Sequence, residues 1–239
     1  MRIRGTGTDD RSYGGAAGEV FAAKADRPGL NALHDRPAVL DLIGPVGGQQ
    51  IVDLGCGAGH YAAALAGAGA SVVGVEGSES LVPHARARLA EYDGSSVVRH
   101  NLEEPMHFLD DESMDGALCA LVLHHISRRE EFLAEVRRVL RPGGWLVVSS
   151  THPTADWGRF GGSYFDERWI RRQIGSQPAE VIEYQHMAMS TLVNELLAAG
   201  FTLDRMVEPT PLPALKDVDP KKYEELSAAP VFLALRLHR

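Results

Sequence analysis

The stretch QIVDLGCGAGH at residues 50–60, followed by SVVGVE at 71–76, constrains the fold of this chain more than any other feature. Ile51, Val52 and Leu54 make a short apolar run suited to a strand buried on both faces. Gly55, Gly57 and Gly59 then allow a tight turn in which backbone approaches a ligand with no Cβ in the way. Residues 60–68 read as a helix, so its unpaired N–H groups point back at that turn. A second strand at 71–76 ends in Glu76, an acid placed to accept hydrogen bonds from both hydroxyls of a ribose. Strand, glycine loop, helix, strand and acid together describe a nucleoside-binding half-site.

The spacing of the loop separates two cofactor classes. A dinucleotide loop reads G-x-G-x-x-G, its third glycine letting helix and strand pack closely. Here the glycines stand at 55, 57 and 59, and position 60 is His. Asp53 also sits two residues before the first glycine; a carboxylate there repels a pyrophosphate but suits an ammonium or sulfonium group. S-adenosylmethionine carries both, and a ribose for Glu76. Residues 52–59, VDLGCGAG, resemble the first motif of the class I S-adenosylmethionine-dependent methyltransferases.

Later stretches follow in the order that this family requires. Residues 97–102, VVRHNL, look like the third strand and the turn that grips the adenine; Asn101 stands where members often carry Asp. Asn still accepts a hydrogen bond from the adenine amino group but has its own donor to satisfy. Residues 113–125 resemble the fourth motif, the strand entering the floor of the site. Phe132, Leu133, Val136, Val139 and Leu140 have helical apolar spacing, and RPGGWLVVSS at 141–150 looks like the following turn and fifth strand. The resemblance covers residues 48–150 and is weak on either side. It implies an α/β fold, a Rossmann-like doubly wound, mostly parallel seven-stranded sheet with an antiparallel C-terminal strand and helical or aromatic lid segments. It also implies S-adenosylmethionine as cofactor, S-adenosylhomocysteine as product, and cofactor contacts at Asp53, Gly55, Cys56, Gly57, Gly59, Glu76, Gly77, Ser78, Asn101, Leu102 and Leu121.

Composition narrows the class of acceptor. A net charge of −8 argues against nucleic acid, because duplex binding is dominated by phosphate neutralisation. The local pairs Arg128–Arg129, Arg137–Arg138 and Arg171–Arg172 suit solvated faces. The 2 cysteines, Cys56 and Cys119, show neither metal-ligand nor redox spacing and fit small buried hydrophobes in a reducing compartment. The N-terminus has no apolar h-region and no stretch is long enough to span a bilayer, so a cytoplasmic protein without a membrane partner is expected, as monomer or homodimer.

Four segments organise the chain: an N-terminal helical lid (1–46), the cofactor core (47–150), a substrate-pocket or lid insertion (151–189), and a C-terminal helix with edge strands of the same domain (190–239). Residues 1–12 are polar and glycine-rich, and disorder is expected there. Residues 13–46 read as helical but broken around Arg27–Gly29. Ser190 is expected to cap a helix running to Ala199, with strands at 201–207 and 231–237 separated by a non-helical, proline-rich excursion.

Open α/β sheets bind ligands where the carboxyl ends of their strands converge. His124 and His125 after the fourth strand, and His152 after the fifth, fall there. His125 and His152 are the catalytic candidates, as base or acceptor anchor, because imidazole exchanges a proton near neutrality. No Cys/His spacing supports a metal. Tyr13 and Phe21 are expected on a helix able to cover the cofactor, and Trp157, Phe160, Tyr164 and Phe165 suit an apolar pocket wall that His186 and Tyr184 could reach. Tyr13, Trp157, Tyr164 and His186 are thus the candidate contacts to a small-molecule acceptor. The expected activity is methyl transfer to N or O; a cofactor-binding protein without catalysis and an NAD(P)-dependent reductase are the competing readings.

Overall fold

The apolar run after Gln50 forms β1 (Gln50–Leu54), and its residues alternate between two cores because successive strand side chains face opposite ways. Ile51 joins a layer built from Val39, Leu42, Leu65, Ala85 and Leu89, while Val52 and Leu54 join one built from Phe132, Leu133, Val136, Leu192 and Leu196. The computed structural model describes residues 13, 15–27, 29–174, 176–178 and 180–239. The disorder expected for residues 1–12 lies outside them.

The first layer carries the helix at 36–43 and the two helices that flank the second strand, at 60–67 and 82–89. Helix α1 (Gly15–Ala25) is followed by a π-helical turn at Asn31–Asp35 and by α2 (Arg36–Ile43), so the broken helical reading holds. After β1 come α3 (His60–Gly67), β2 (Ser71–Glu76), α4 (Val82–Leu89) and β3 (Ser96–Arg99). Then β4 (Met114–Ala120), α5 (Arg129–Val139) and β5 (Leu140–Thr151) complete the portion the motifs outlined.

Beyond β5 the structure is more regular than the sequence suggests. Residues 151–189 hold α6 (Pro153–Phe160) and an antiparallel hairpin of β6 (Trp169–Gln173) and β7 (Val181–Gln185). Helix α7 (Met189–Ala198) starts at an Ala188 cap without a side-chain bond, so Ser190 lies inside the helix and does not cap it. In its place the Tyr164 hydroxyl accepts from the Met189 N–H at 2.8 Å. The excursion between β8 (Thr202–Val207) and β9 (Phe232–His238) is helical in part, with α8 (Ala214–Val218) and α9 (Pro220–Ala228), contrary to the non-helical reading. Asp219 is the reason for the second of these helices: its carboxylate accepts from the Lys222 N–H at 2.9 Å, and Pro220 fits a first turn.

The sheet runs β3-β2-β1-β4-β5-β9-β8, seven strands with β9 antiparallel to both neighbours. Chain order reverses between β1 and β4, which opens a crevice at the carboxyl ends of those strands. The interior is tight beneath that crevice. A Cβ built on Gly116 of β4 would lie 2.1 Å from the Trp145 indole, whose Nε1–H donates to Gln49 Oε1 at 2.9 Å. Gly116→Ala should therefore destabilise the fold by about 1–3 kcal/mol. A urea midpoint that falls with an unchanged slope checks it; an unaltered midpoint contradicts the packing described.

Candidate active site

The glycine loop closes between β1 and α3 because at Gly55 and Gly59 the neighbouring atoms leave no room for a side chain. Gly59 adopts φ +84°, and a Cβ there would sit 2.9 Å from the Ala85 Cα of α4. Gly57 adopts φ +57°, and a Cβ built there would lie 3.4 Å from the Phe21 ring of α1. The loop is tied to β2 by the Gly55 and Cys56 N–H groups, which donate to the Val75 carbonyl at 2.7 and 3.0 Å.

Glu76 finishes that tie. Its carboxylate accepts from the Gly57 N–H at 2.7 Å and from the Ser78 N–H at 2.8 Å. Burial raises its pKa, and backbone N–H donors from Ser78, Gly57 and Gly77 oppose the rise. A carboxylate offers about four acceptor sites, so these bonds leave capacity for ribose hydroxyls. Asp53, at the end of β1, is fully buried; burial first, and the Glu76 charge second, push its carboxyl up to about 7. Its Oδ2 has no hydrogen-bond partner among the described residues. A buried, unsatisfied carboxyl at a loop mouth is the group that an ammonium or sulfonium cation would stabilise, so the residues present fit S-adenosylmethionine.

The remaining cofactor candidates lie around the same edge. Ser78 donates its hydroxyl to the Tyr13 carbonyl at 2.6 Å, holding the N-terminal segment over the loop. Asn101 Oδ1 accepts from the Glu103 N–H at 3.0 Å, which fixes the turn after β3, and Leu102 is buried beside it. Leu121, just past β4, has φ +59°, a conformation that L side chains adopt at a cost and that persists where surroundings impose it. Its N–H donates to the Ser149 carbonyl at 2.9 Å. Cys56 is buried, and burial raises its thiol pKa well above the usual range, consistent with a small apolar filler.

The two catalytic candidates part ways. His125 lies against Tyr13 (ring centroids 5.6 Å apart) and Tyr184 (6.2 Å), and its Nδ1 lies 2.8 Å from the Glu183 carbonyl. A carbonyl only accepts, so Nδ1 carries the proton and Nε2 the lone pair. Burial brings its pKa down to about 4, which keeps the ring neutral at physiological pH. His152 instead serves the fold: its Nδ1 accepts from the Thr154 N–H at 3.2 Å, capping α6. Its Nε2 faces Glu208 at 3.1 Å. His124 is buried with Nδ1 3.2 Å from Ser150 Oγ, and burial holds its pKa well below the usual value.

The acceptor candidates form two groups. Tyr13 precedes α1 and does not lie on it; its ring packs on Phe21 (4.5 Å) and His125, beside the loop. Trp157, Tyr164 and His186 cluster elsewhere, with Tyr164 6.3 Å from Trp157 and 5.9 Å from His186, and His186 Nε2 bonds the Tyr164 carbonyl at 2.9 Å. Trp157 is half exposed and donates its Nε1–H to the Gly162 carbonyl at 3.0 Å. Tyr184 connects the groups: its hydroxyl donates to buried Asp156 of α6 at 2.9 Å, while its ring meets His124 and His125.

Asp35, Arg36 and Tyr61 escaped sequence reasoning. The Tyr61 hydroxyl donates to Asp35 Oδ2 at 2.6 Å, and the Arg36 guanidinium lies 5.6 Å from the Tyr61 ring. Burial pushes the Asp35 carboxyl up to about 6, and both Asp35 Oδ1 and Arg36 Nε lack a partner among the described residues. No sequence signal pointed to them: Asp35 and Arg36 come from a π-helical turn and the start of α2, Tyr61 from the start of α3, and no local motif marks such a turn.

Comparison with known proteins agrees with this geometry. Residues 52–148 match the profile of the methyltransferase-domain family. A crystal structure of an S-adenosylmethionine-dependent methyltransferase from Mesorhizobium loti is 30% identical, superposes with a TM-score of 0.73, and the match covers 89% of this chain and 99% of that one. A demethylmenaquinone methyltransferase of Tropheryma whipplei (strain Twist) is 32% identical over 52% of this chain. A ubiquinone biosynthesis O-methyltransferase of Thiobacillus denitrificans is 31% identical over 48%. The chain spans about half the length of those two curated relatives (51% and 50%). With its loop, its acids and its sheet order, this chain belongs to the class I S-adenosylmethionine-dependent methyltransferases.

Proposed function

We propose that the enzyme methylates N or O of a small molecule, with His125 as the group that takes the proton. One observation carries this reading: a neutral imidazole, its tautomer set by the Glu183 carbonyl, stands between aromatic rings at the edge where Asp53 and Glu76 converge. Bound S-adenosylmethionine supplies a methyl carbon made electrophilic by the sulfonium. Glu76 would hold the ribose hydroxyls, and Asp53 a cationic group. Arg36 acts electrostatically on Tyr61, as does Asp53. Arg36 Nε and Asp53 Oδ2, both without a hydrogen-bond partner among the described residues, would meet the carboxylate and the ammonium at the zwitterionic end of the cofactor. Tyr13 and Phe21, held over the loop by Ser78, exclude water from it. His125 Nε2 would receive a proton from a hydroxyl or protonated amine as it is aligned. Relatives named for demethylmenaquinone and for ubiquinone biosynthesis support a small-molecule acceptor.

Three measurements test the assignment. Glu76→Ala removes two charge-assisted ribose bonds, each worth roughly 1.5–3 kcal/mol, so affinity for S-adenosylhomocysteine should fall at least tenfold. An unchanged dissociation constant by calorimetry contradicts the role given to β2. Asp53, protonated below about pH 7, must lose its proton to meet a cation. Affinity should therefore rise as pH goes from 6 to 8, with proton release, and Asp53→Asn should flatten that slope; a flat wild-type profile removes Asp53 from the site. His125→Ala should leave S-adenosylhomocysteine binding within about threefold while turnover of a true acceptor drops about 10²-fold. Because its pKa lies near 4, wild-type kcat/KM should show no histidine limb between pH 6 and 8. Full turnover by the variant places the base elsewhere.

A further inference from the structure

The β6–β7 hairpin presents one face inward and one outward, as its pleat dictates. Trp169, Arg171 and Gln173 point out and are exposed, whereas Ile170 is buried and Arg172 half-buried on the inner face. Across the ladder Ile170 opposes Tyr184 and Arg172 opposes Ile182. Ile170, Ile182 and Tyr184 form an apolar cluster against which Tyr13 packs. The inner face therefore meets the same Tyr13 and His125 that border the glycine loop.

Arg172 is the exception on that face. Its outer neighbour Arg171 pairs with Glu183 at 3.8 Å, and Arg168 pairs with Asp166 at 2.9 Å. Arg172 has no ion-pair or side-chain hydrogen-bond partner among the described residues. It is close enough to act electrostatically on Tyr13, Asp156 and Tyr184. The one carboxylate in that set, Asp156, is already bonded by the Tyr184 hydroxyl. A guanidinium that has lost part of its hydration and formed no ion pair among the described residues is stabilised by a ligand that brings an anion to it, and its planar fork suits two oxygens at once.

We infer that Arg172 is an acceptor-binding residue and that the methyl acceptor is an anion: a carboxylate or phosphate joined to an apolar or aromatic body. The body lies against Tyr13, Ile170, Ile182 and Tyr184, and the anionic group is held by the guanidinium. The proposal rests on the methyltransferase reading and on His125 marking the acceptor side. It names what that reading leaves open, the charge of the molecule that is methylated. The overall charge of −8 makes the point sharper, since an anionic acceptor needs a local cation to enter an acidic protein.

Calorimetry on the protein saturated with S-adenosylhomocysteine tests it, with benzoate, 4-hydroxybenzoate, indole-3-acetate and phenyl phosphate as probes and the uncharged amides of the three acids as controls. At least one anionic probe should bind the wild type, its amide at least tenfold more weakly where it has one. Arg172→Gln should weaken that probe at least tenfold, and Arg172→Lys should recover part of the loss. S-adenosylhomocysteine should bind both variants within twofold of wild type, which shows them folded. The proposal is overturned if no anionic probe binds the wild type, if amides bind as well as acids, or if Arg172→Gln binds the acids as the wild type does. Failure of the wild type to bind S-adenosylhomocysteine removes the methyltransferase reading itself, a separate result.

Discussion

Everything at the working edge of this enzyme depends on how closely backbone approaches backbone around the glycine loop. With no Cβ at Gly59, the start of α3 rests on the Ala85 Cα of α4. In the same loop Gly57 donates its N–H to Glu76 at 2.7 Å. One carboxylate thereby joins the loop after β1 to the end of β2, and Ser78 extends the tie to the Tyr13 carbonyl of the N-terminal segment. Cofactor cradle and cover are consequently one hydrogen-bonded unit.

Burial sets the charge state of that unit. Asp53, Asp35 and Glu76 are all raised by loss of water, and His124 and His125 are both lowered. The cavity edge thus holds fewer charges than its residue types suggest, which favours a ligand that brings its own. Asp53 near 7, and Arg36, whose Nε has no hydrogen-bond partner among the described residues, are the groups through which the ligand's charge would be felt. Membership of the methyltransferase family excludes the nicotinamide-dependent reductase, in keeping with a loop that places its glycines at 55, 57 and 59. Among the described residues no helix is long and apolar enough to cross a membrane.

The histidines show how chemistry and structure separate. His125 and His152 follow adjacent strands, and by type and position they are equivalent candidates. In the folded chain His125 is oriented by a carbonyl from the distant hairpin, 58 residues on, whereas His152 caps the helix that starts beside it. Tyr164 likewise reads as a pocket wall by composition, yet its hydroxyl starts α7 by accepting the Met189 N–H. Ser190, a good capping residue in the wrong position by two, gives way to it.

By itself the sequence determined β1, the glycine loop, α3, β2 and Glu76, and through them the cofactor class and the sheet. Those features rest on local patterns: strand burial, helix period and a turn that only glycine tolerates. It also outlined β3, β4, α5 and β5, whose apolar periods are as regular. Only the tertiary structure decided that residues 151–189 form a helix and a hairpin, and that Arg172 faces inward while Arg171 faces out. It alone assembled Asp35, Arg36 and Tyr61, from a π-helical turn and the start of α3. The physical reason is range. A cradle built from consecutive residues leaves its mark in their spacing, whereas an acceptor wall made of segments more than a hundred residues apart leaves none until they pack.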